Sequence, residues 1–145
     1  MSKNKLEGIG ACVFDAYGTL FDVTAAASHC QAELGAKWQP LAEMWRTKQL
    51  QYTWLRSLMG RHADFWQVTG EALDFCMSSL QLDDAALRER LMQLYLELDA
   101  YPEAAGVLQR LKASGRKCAI LSNGSPKMLQ AAVEHAGIGK HLDAV

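Results

Sequence analysis

Two patterns of apolar and polar positions alternate along the chain. Residues 9–14 form a short apolar run between Gly8 and Asp15, which predicts a strand buried on both faces, as in parallel sheets. From Asp22 to Leu98 the pattern turns helical and predicts helices over 22–34, 41–59, 64–80 and 83–98. Aspartates at three of those starts are suited to cap the free N–H groups of a first turn. Leu87, Leu91, Leu94 and Leu98 keep the spacing of one buried face. Over 41–59 the apolar arc exceeds half of the helical wheel, which predicts contacts on two sides.

Near Pro102 the α/β pattern resumes. Pro102 can open a helix, Leu108 and Leu111 supply its inner face, and Gly115 can end it in the left-handed conformation. Residues 117–121 predict a second strand. Ser125-Pro126 then starts a helix with a capping hydroxyl followed by proline, running to Gly137, and 141–145 predicts the lead-in to a third strand. The expected architecture is an α/β core made of residues 1–21 and 99–145, with 22–98 inserted as a helical module. Open doubly wound sheets carry about five or six strands. This core is therefore expected to be incomplete within 145 residues.

Composition narrows the function. A chain that is 50% hydrophobic with a formal net charge of -1 is globular in character and offers no basic surface for nucleic acid or an anionic membrane. No apolar stretch approaches the roughly 18 residues of a membrane span, and the polar start over residues 1–8 has no leader-like apolar segment, so a cytoplasmic protein is expected. Cys12, Cys30, Cys76 and Cys118 are widely spaced without a CxxC pair, which predicts reduced core thiols. His29, His62, His135 and His141 are scattered, so neither a histidine metal site nor a catalytic triad is expected.

In an open parallel sheet, ligands bind beyond the carboxyl ends of the strands. Asp15 and Ser122-Asn123 both fall there, with Gly18 and Gly124 able to bring backbone close to a ligand. Taken alone, Ser122-Asn123-Gly124 also reads as an ordinary strand-to-helix turn. Two residues past Asp15, where a metal-assisted phosphoryl-transfer enzyme of similar pattern would keep a second aspartate, stands Tyr17. Asp22 lies too far along to replace it. Pattern alone makes Arg46 a surface arginine, at the edge of a polar arc with Ala42, Gln49, Thr53 and Ser57.

Three segments together carry a resemblance: 14–23, Phe-Asp-Ala-Tyr-Gly-Thr-Leu-Phe-Asp-Val; 45–59, Trp-Arg-Thr-Lys-Gln-Leu-Gln-Tyr-Thr-Trp-Leu-Arg-Ser-Leu-Met; and 121–126, Leu-Ser-Asn-Gly-Ser-Pro. The chain resembles the L-2-haloacid dehalogenases of type II, within the haloacid dehalogenase superfamily. The opening motif is shared across that superfamily, whereas Tyr17 and the Trp45-Arg46 helix are specific to the dehalogenases. The resemblance implies a Rossmann-like parallel-sheet core with an inserted helical cap. It implies hydrolysis of L-2-haloalkanoic acids to D-2-hydroxy acids with inversion, through an ester on Asp15, without metal or cofactor.

By the same resemblance, Thr19 orients Asp15 and Arg46 meets the departing halide. Ser122, the N–H of Asn123 and the N–H groups of Ala16 and Tyr17 hold the substrate carboxylate, while Tyr17, Leu50 and Phe65 line the pocket for its alkyl end. Core packing is the competing explanation for Leu50 and Phe65. Trp38, Trp45, Trp54 and Trp66 are read as packing residues. The implied partners are the small haloacid and its halide, with a homodimer through the cap helices open to consideration. The family's later lysine and acidic loop have no match in Lys127, Lys140 or Asp143, so residues 1–145 alone are expected to be poorly active. The alternatives are a Mg²⁺-dependent phosphatase-like hydrolase of the same superfamily and a non-catalytic binding domain.

Overall fold

The computed structural model describes residues 7–145, so most of the polar start read over 1–8 lies outside the described residues. β1 (Ala11–Phe14) and β2 (Lys117–Ile120) pair in parallel, Cys12 opposite Cys118 and Phe14 opposite Ile120. An isolated parallel bridge pairs Ala144 with Ala119 on the far side of β2, within the stretch 141–145 expected to lead into a third strand. Asp143 secures it: one carboxylate oxygen accepts from the Cys118 N–H at 2.8 Å and the other pairs with Lys112 at 2.7 Å.

The expectation that β1 is buried on both faces is not met. Val13 is 61% exposed, because β1 has a strand on one edge only and the face carrying Val13 is uncovered among the described residues.

The first helical stretch is broken into α1 (Ala25–His29), α2 (Gln31–Leu34) and a 3-10 turn (Gly35–Lys37) that runs directly into α3 (Trp38–Leu58). Cys30, at φ -100° and ψ 19°, interrupts the first helix, and Gly35 at φ 53° redirects the chain. α3 starts earlier than expected because Pro40 falls within its first turn, where a missing N–H costs nothing. α4 (Phe65–Ser79) is capped by Asp64, which accepts from Gln67 N at 2.9 Å. α5 (Ala85–Leu96) is capped by Asp84 rather than Asp83, at 2.9 Å from Leu87 N. Asp22 instead closes a turn on Thr24.

α6 (Ala104–Ala113) begins two residues after Pro102, and α7 (Pro126–His135) starts behind the Ser125 cap. One core runs through the structure, with Phe21, Leu41, Trp45, Leu73, Leu98, Leu108 and Met128 fully buried. Trp38 and Trp66 pack against it, but Trp54 does not: it is 59% exposed near the end of α3, contrary to its reading as a packing residue. All four cysteines are free, Cys12 half-buried and the others buried; burial pushes the Cys76 thiol up to about 12, so it stays protonated.

After the turn that follows β1, the chain passes Phe21 into the helices and returns beside Phe21 at Ala100. The two crossings form an antiparallel bridge, with Asp22 N donating to Asp99 O at 2.8 Å and Tyr101 N to Leu20 O at 2.9 Å. Two short antiparallel segments thus join α1–α5 to the sheet.

Candidate active site

β1 aims Asp15 at the rim of the sheet. Leu121 N donates to Phe14 O at 2.9 Å, carrying the ladder one step past β2, so Asp15 and Ser122 leave neighbouring strands side by side. Asp15 is exposed, and Thr19 Oγ1 donates to its Oδ2 at 3.4 Å, a long bond. The turn between them winds on one acceptor: the N–H groups of Thr19, Leu20 and Phe21 all point to Ala16 O, and Gly18 N donates to Phe21 O at 2.8 Å. Gly18 sits at φ 92°, where a side chain would be strained. Among the described hydrogen bonds, none uses the N–H of Ala16, Tyr17 or Asn123.

Tyr17 turns inward. Its ring lies 5.6 Å from Phe65, 6.1 Å from Phe21 and 5.8 Å from Tyr95, on which it stacks. The hydroxyl is buried without a partner among the described residues, and burial raises its pKa well above the usual phenol value. An unpaired buried hydroxyl costs about 1 to 3 kcal/mol unless something meets it.

The largest departure from the pattern reading is Arg46. It is half-buried rather than an ordinary surface residue: Nη2 donates to Tyr17 O at 2.8 Å and Nη1 to Gln49 Oε1 at 2.9 Å. Both partners are neutral. The ion pairs among the described residues do not include Arg46. A guanidinium held half out of water by neutral acceptors keeps its charge for an anion.

Gln49 is also displaced from the polar arc, being fully buried. Its Nε2 donates to Thr69 Oγ1 at 2.7 Å and to Tyr95 Oη at 3.0 Å. Burial pushes the Tyr95 hydroxyl up to about 12, so it remains a neutral donor. Gln49, Thr69 and Tyr95 escaped the sequence reading. The available signal was confined to Thr69, a polar residue on the α4 face that otherwise holds Phe65, Ala72, Leu73 and Cys76.

The structure therefore links Thr19 to Asp15, Arg46 to the Tyr17 carbonyl, and the Tyr17 ring to Phe65, while Asp15 and Ser122 follow neighbouring strand ends. Ser122 is half-buried, and its Oγ accepts from Gly124 N at 3.1 Å, the turn that its sequence also suggested. Phe65 and Asn123 line a cleft of about 300 Å³ together with Arg56, His62 and Ser125. Leu50 is half-buried one turn past Arg46 and is not in the packed apolar cluster that holds Tyr17 and Phe65. Among the described residues, no group of three or more His, Cys, Asp or Glu gathers to hold a metal ion.

The family model for haloacid dehalogenase-like hydrolases matches residues 9–145. The chain belongs to that family. Among its relatives, (S)-2-haloacid dehalogenase 4A of Burkholderia cepacia is 48% identical over 96% of this chain. The match covers 61% of that protein, so the chain spans less than two thirds of the length of this curated relative. A dehalogenase crystal structure superposes with a TM-score of 0.94 at 48% identity, over 97% of this chain and 62% of the other. The L-2-haloacid dehalogenase of Xanthobacter autotrophicus with chloropropionic acid covalently bound superposes at a TM-score of 0.85 and 47% identity, over 94% of this chain and 56% of the other. The haloacid dehalogenase-like fold thus appears here as a helix-rich chain around a small parallel sheet.

Proposed function

We propose that the whole protein is a hydrolytic dehalogenase of L-2-haloalkanoic acids, with Asp15 as its nucleophile. The observation that carries this reading is the unpaired charge of Arg46, bonded to the carbonyl of Tyr17 two residues beyond Asp15. A leaving halide needs such a cation, and the substrate carboxylate needs fixed donors. The N–H groups of Ala16, Tyr17 and Asn123 and the Ser122 hydroxyl supply the latter.

In this mechanism the Asp15 carboxylate attacks C2 from about 3 to 3.5 Å, in line with the departing halide. The C2–halogen bond breaks as the C2–oxygen bond forms, inverting C2, and the halide leaves toward Arg46. Thr19 holds the carboxylate by its hydroxyl. Tyr17, Phe65 and Leu50 flank the alkyl end of the substrate. Water then adds to the carboxyl carbon of the aspartyl ester, releasing a D-2-hydroxy acid and regenerating Asp15. Residues 22–98 serve as a cap over a core made of 1–21 and 99–145, a division supported by the paired crossings at Phe21 and Ala100.

Two further parts of the proposal rest on separate observations. Four unpaired thiols suit the reducing cytoplasm. Among the described residues no helix is long and apolar enough to cross a membrane. The exposed apolar side chains Trp54, Leu55 and Leu58 on α3, Met59 just after it and Phe75 on α4 favour a homodimer through the cap helices.

The deciding experiment is halide release by the full-length protein from (S)- and (R)-2-chloropropionate, with and without chelator, repeated for Asp15→Asn. Release from the (S) form only, unaffected by chelator and abolished in D15N, is expected. Phosphate release from small esters that stops with chelator, with no halide released, would favour a Mg²⁺-dependent hydrolase instead.

A further inference from the structure

We propose that Gln49 is the positioning residue of this anion site: it fixes the guanidinium of Arg46 while leaving its charge uncompensated. The proposal deepens the dehalogenase reading and rests on it for the identity of the anion. It begins with the inventory of a buried amide. Gln49 is 0% exposed, so both ends of its side chain must find partners inside the protein.

Thr69 decides which end is which. Its hydroxyl has one proton, and that proton goes to Phe65 O, one turn back in α4, at 2.6 Å. Thr69 Oγ1 can then only accept, and what reaches it at 2.7 Å must be the NH₂ end of Gln49. The amide oxygen is thereby turned toward Arg46 Nη1, at 2.9 Å, with Tyr95 Oη donating to the same oxygen at 3.2 Å. The orientation of the arginine is thus dictated from α4, through a threonine committed to its own helix.

The choice of an amide is the second step. An arginine needed only to fasten α3 to the turn after β1 would be held as well by a carboxylate in the same place. Glutamate has nearly the shape of glutamine and could still accept from Arg46. Its charge would neutralise the guanidinium and weaken any pull on a second anion. Glutamine keeps the geometry and leaves the field. One N–H of Nη1 goes to Gln49 and one of Nη2 to Tyr17 O, both neutral acceptors, so the hydrogen bonds that orient the fork do not neutralise it for an incoming anion.

The test compares full-length wild type with Gln49→Glu and Thr69→Val. It reads kcat and KM for halide release from (S)-2-chloropropionate, chloride binding by chlorine NMR line broadening, and melting temperature. Q49E should keep its melting temperature within a few degrees, lose chloride-dependent broadening, and fall in kcat by at least tenfold. The upper bound is the roughly 10²- to 10³-fold loss seen when a preorganised donor is removed outright. T69V, which frees the amide to rotate, should shift the same readouts in the same direction but less.

Unchanged kcat and unchanged chloride broadening in a folded Q49E would overturn the proposal, as would a T69V protein that melts lower with both readouts intact. If wild type binds chloride yet releases none from the haloacid, the dehalogenase reading fails, and the chloride series still decides the role of Gln49.

Discussion

Gly124 lies against the ring of Tyr17 so closely that a Cβ built on it would stand 2.7 Å from Tyr17 Cε2 and 3.2 Å from the Leu129 side chain. The turn after β2 and the turn after β1 are therefore packed edge to edge at the rim that carries Asp15 and Ser122. Tyr17 has little room to yield, because Phe21, Phe65 and Tyr95 surround it. G124A is expected to destabilise the protein by about 1 to 3 kcal/mol, the usual cost of forcing a methyl into a filled site. Urea denaturation measures it. A loss below about 0.5 kcal/mol, the ordinary scatter of a harmless surface change, would show that Tyr17 can move aside.

Arg46 bridges Tyr17 O and Gln49 Oε1 with two different nitrogens, at 2.8 and 2.9 Å. Lysine keeps the charge but has a single nitrogen and cannot present that fork. R46K in the full-length protein should lower kcat for halide release by about 10²- to 10³-fold. The steady-state rates of the two proteins, measured at matched folding, decide it.

The sequence made the strand ends legible because their neighbours in space are also neighbours in the chain. Phe14-Asp15 and Leu121-Ser122 each continue their own strand, and Ser125-Pro126 and Asp64 announce helix starts by local chemistry. Arg46 and Gln49 were not legible from pattern. A helical wheel sees only one helix, so two polar residues on α3 read as a solvent face, although α4 and α5 cover Gln49 with Thr69 and Tyr95. Polar residues that meet partners on other elements imitate surface residues in any single-helix reading. The exposure of Val13 and Trp54 is the converse: apolarity predicts burial only where another element is present to cover it.

Asp64 accepts from Gln67 N and so fixes the first turn of α4, directly ahead of Phe65. D64A removes that cap and should cost about 0.5 to 2 kcal/mol. Because Phe65 O anchors Thr69, the loss should also loosen the pocket wall and raise KM for the haloacid. A stability loss of that size with KM unchanged would place the cap outside the functional chain of contacts.

Asp143 ties the segment that carries the Ala144 bridge to β2. The Lys112 ammonium, and after it the Cys118 N–H, hold its carboxyl below the ordinary value of 3.8. Asp99 beside His29, and Glu71 beside Arg56, are held low in the same way. A carboxyl depressed by folding contributes stability above its unfolded pKa and loses it as pH falls through the folded one. Stability should therefore decline on the acid side, beginning near the ordinary Glu and Asp values of 4.5 and 3.8. D143N can still accept from the Cys118 N–H but loses the charge pairing with Lys112. It should melt below wild type at neutral pH, and the gap should close as pH falls below 3.8 and the native carboxyl itself takes up a proton. Thermal melts at a series of pH values give the two curves. The absence of a gap at neutral pH would mean that the Asp143 charge contributes nothing and that the hydrogen bond to β2, which D143N keeps, is what holds this segment.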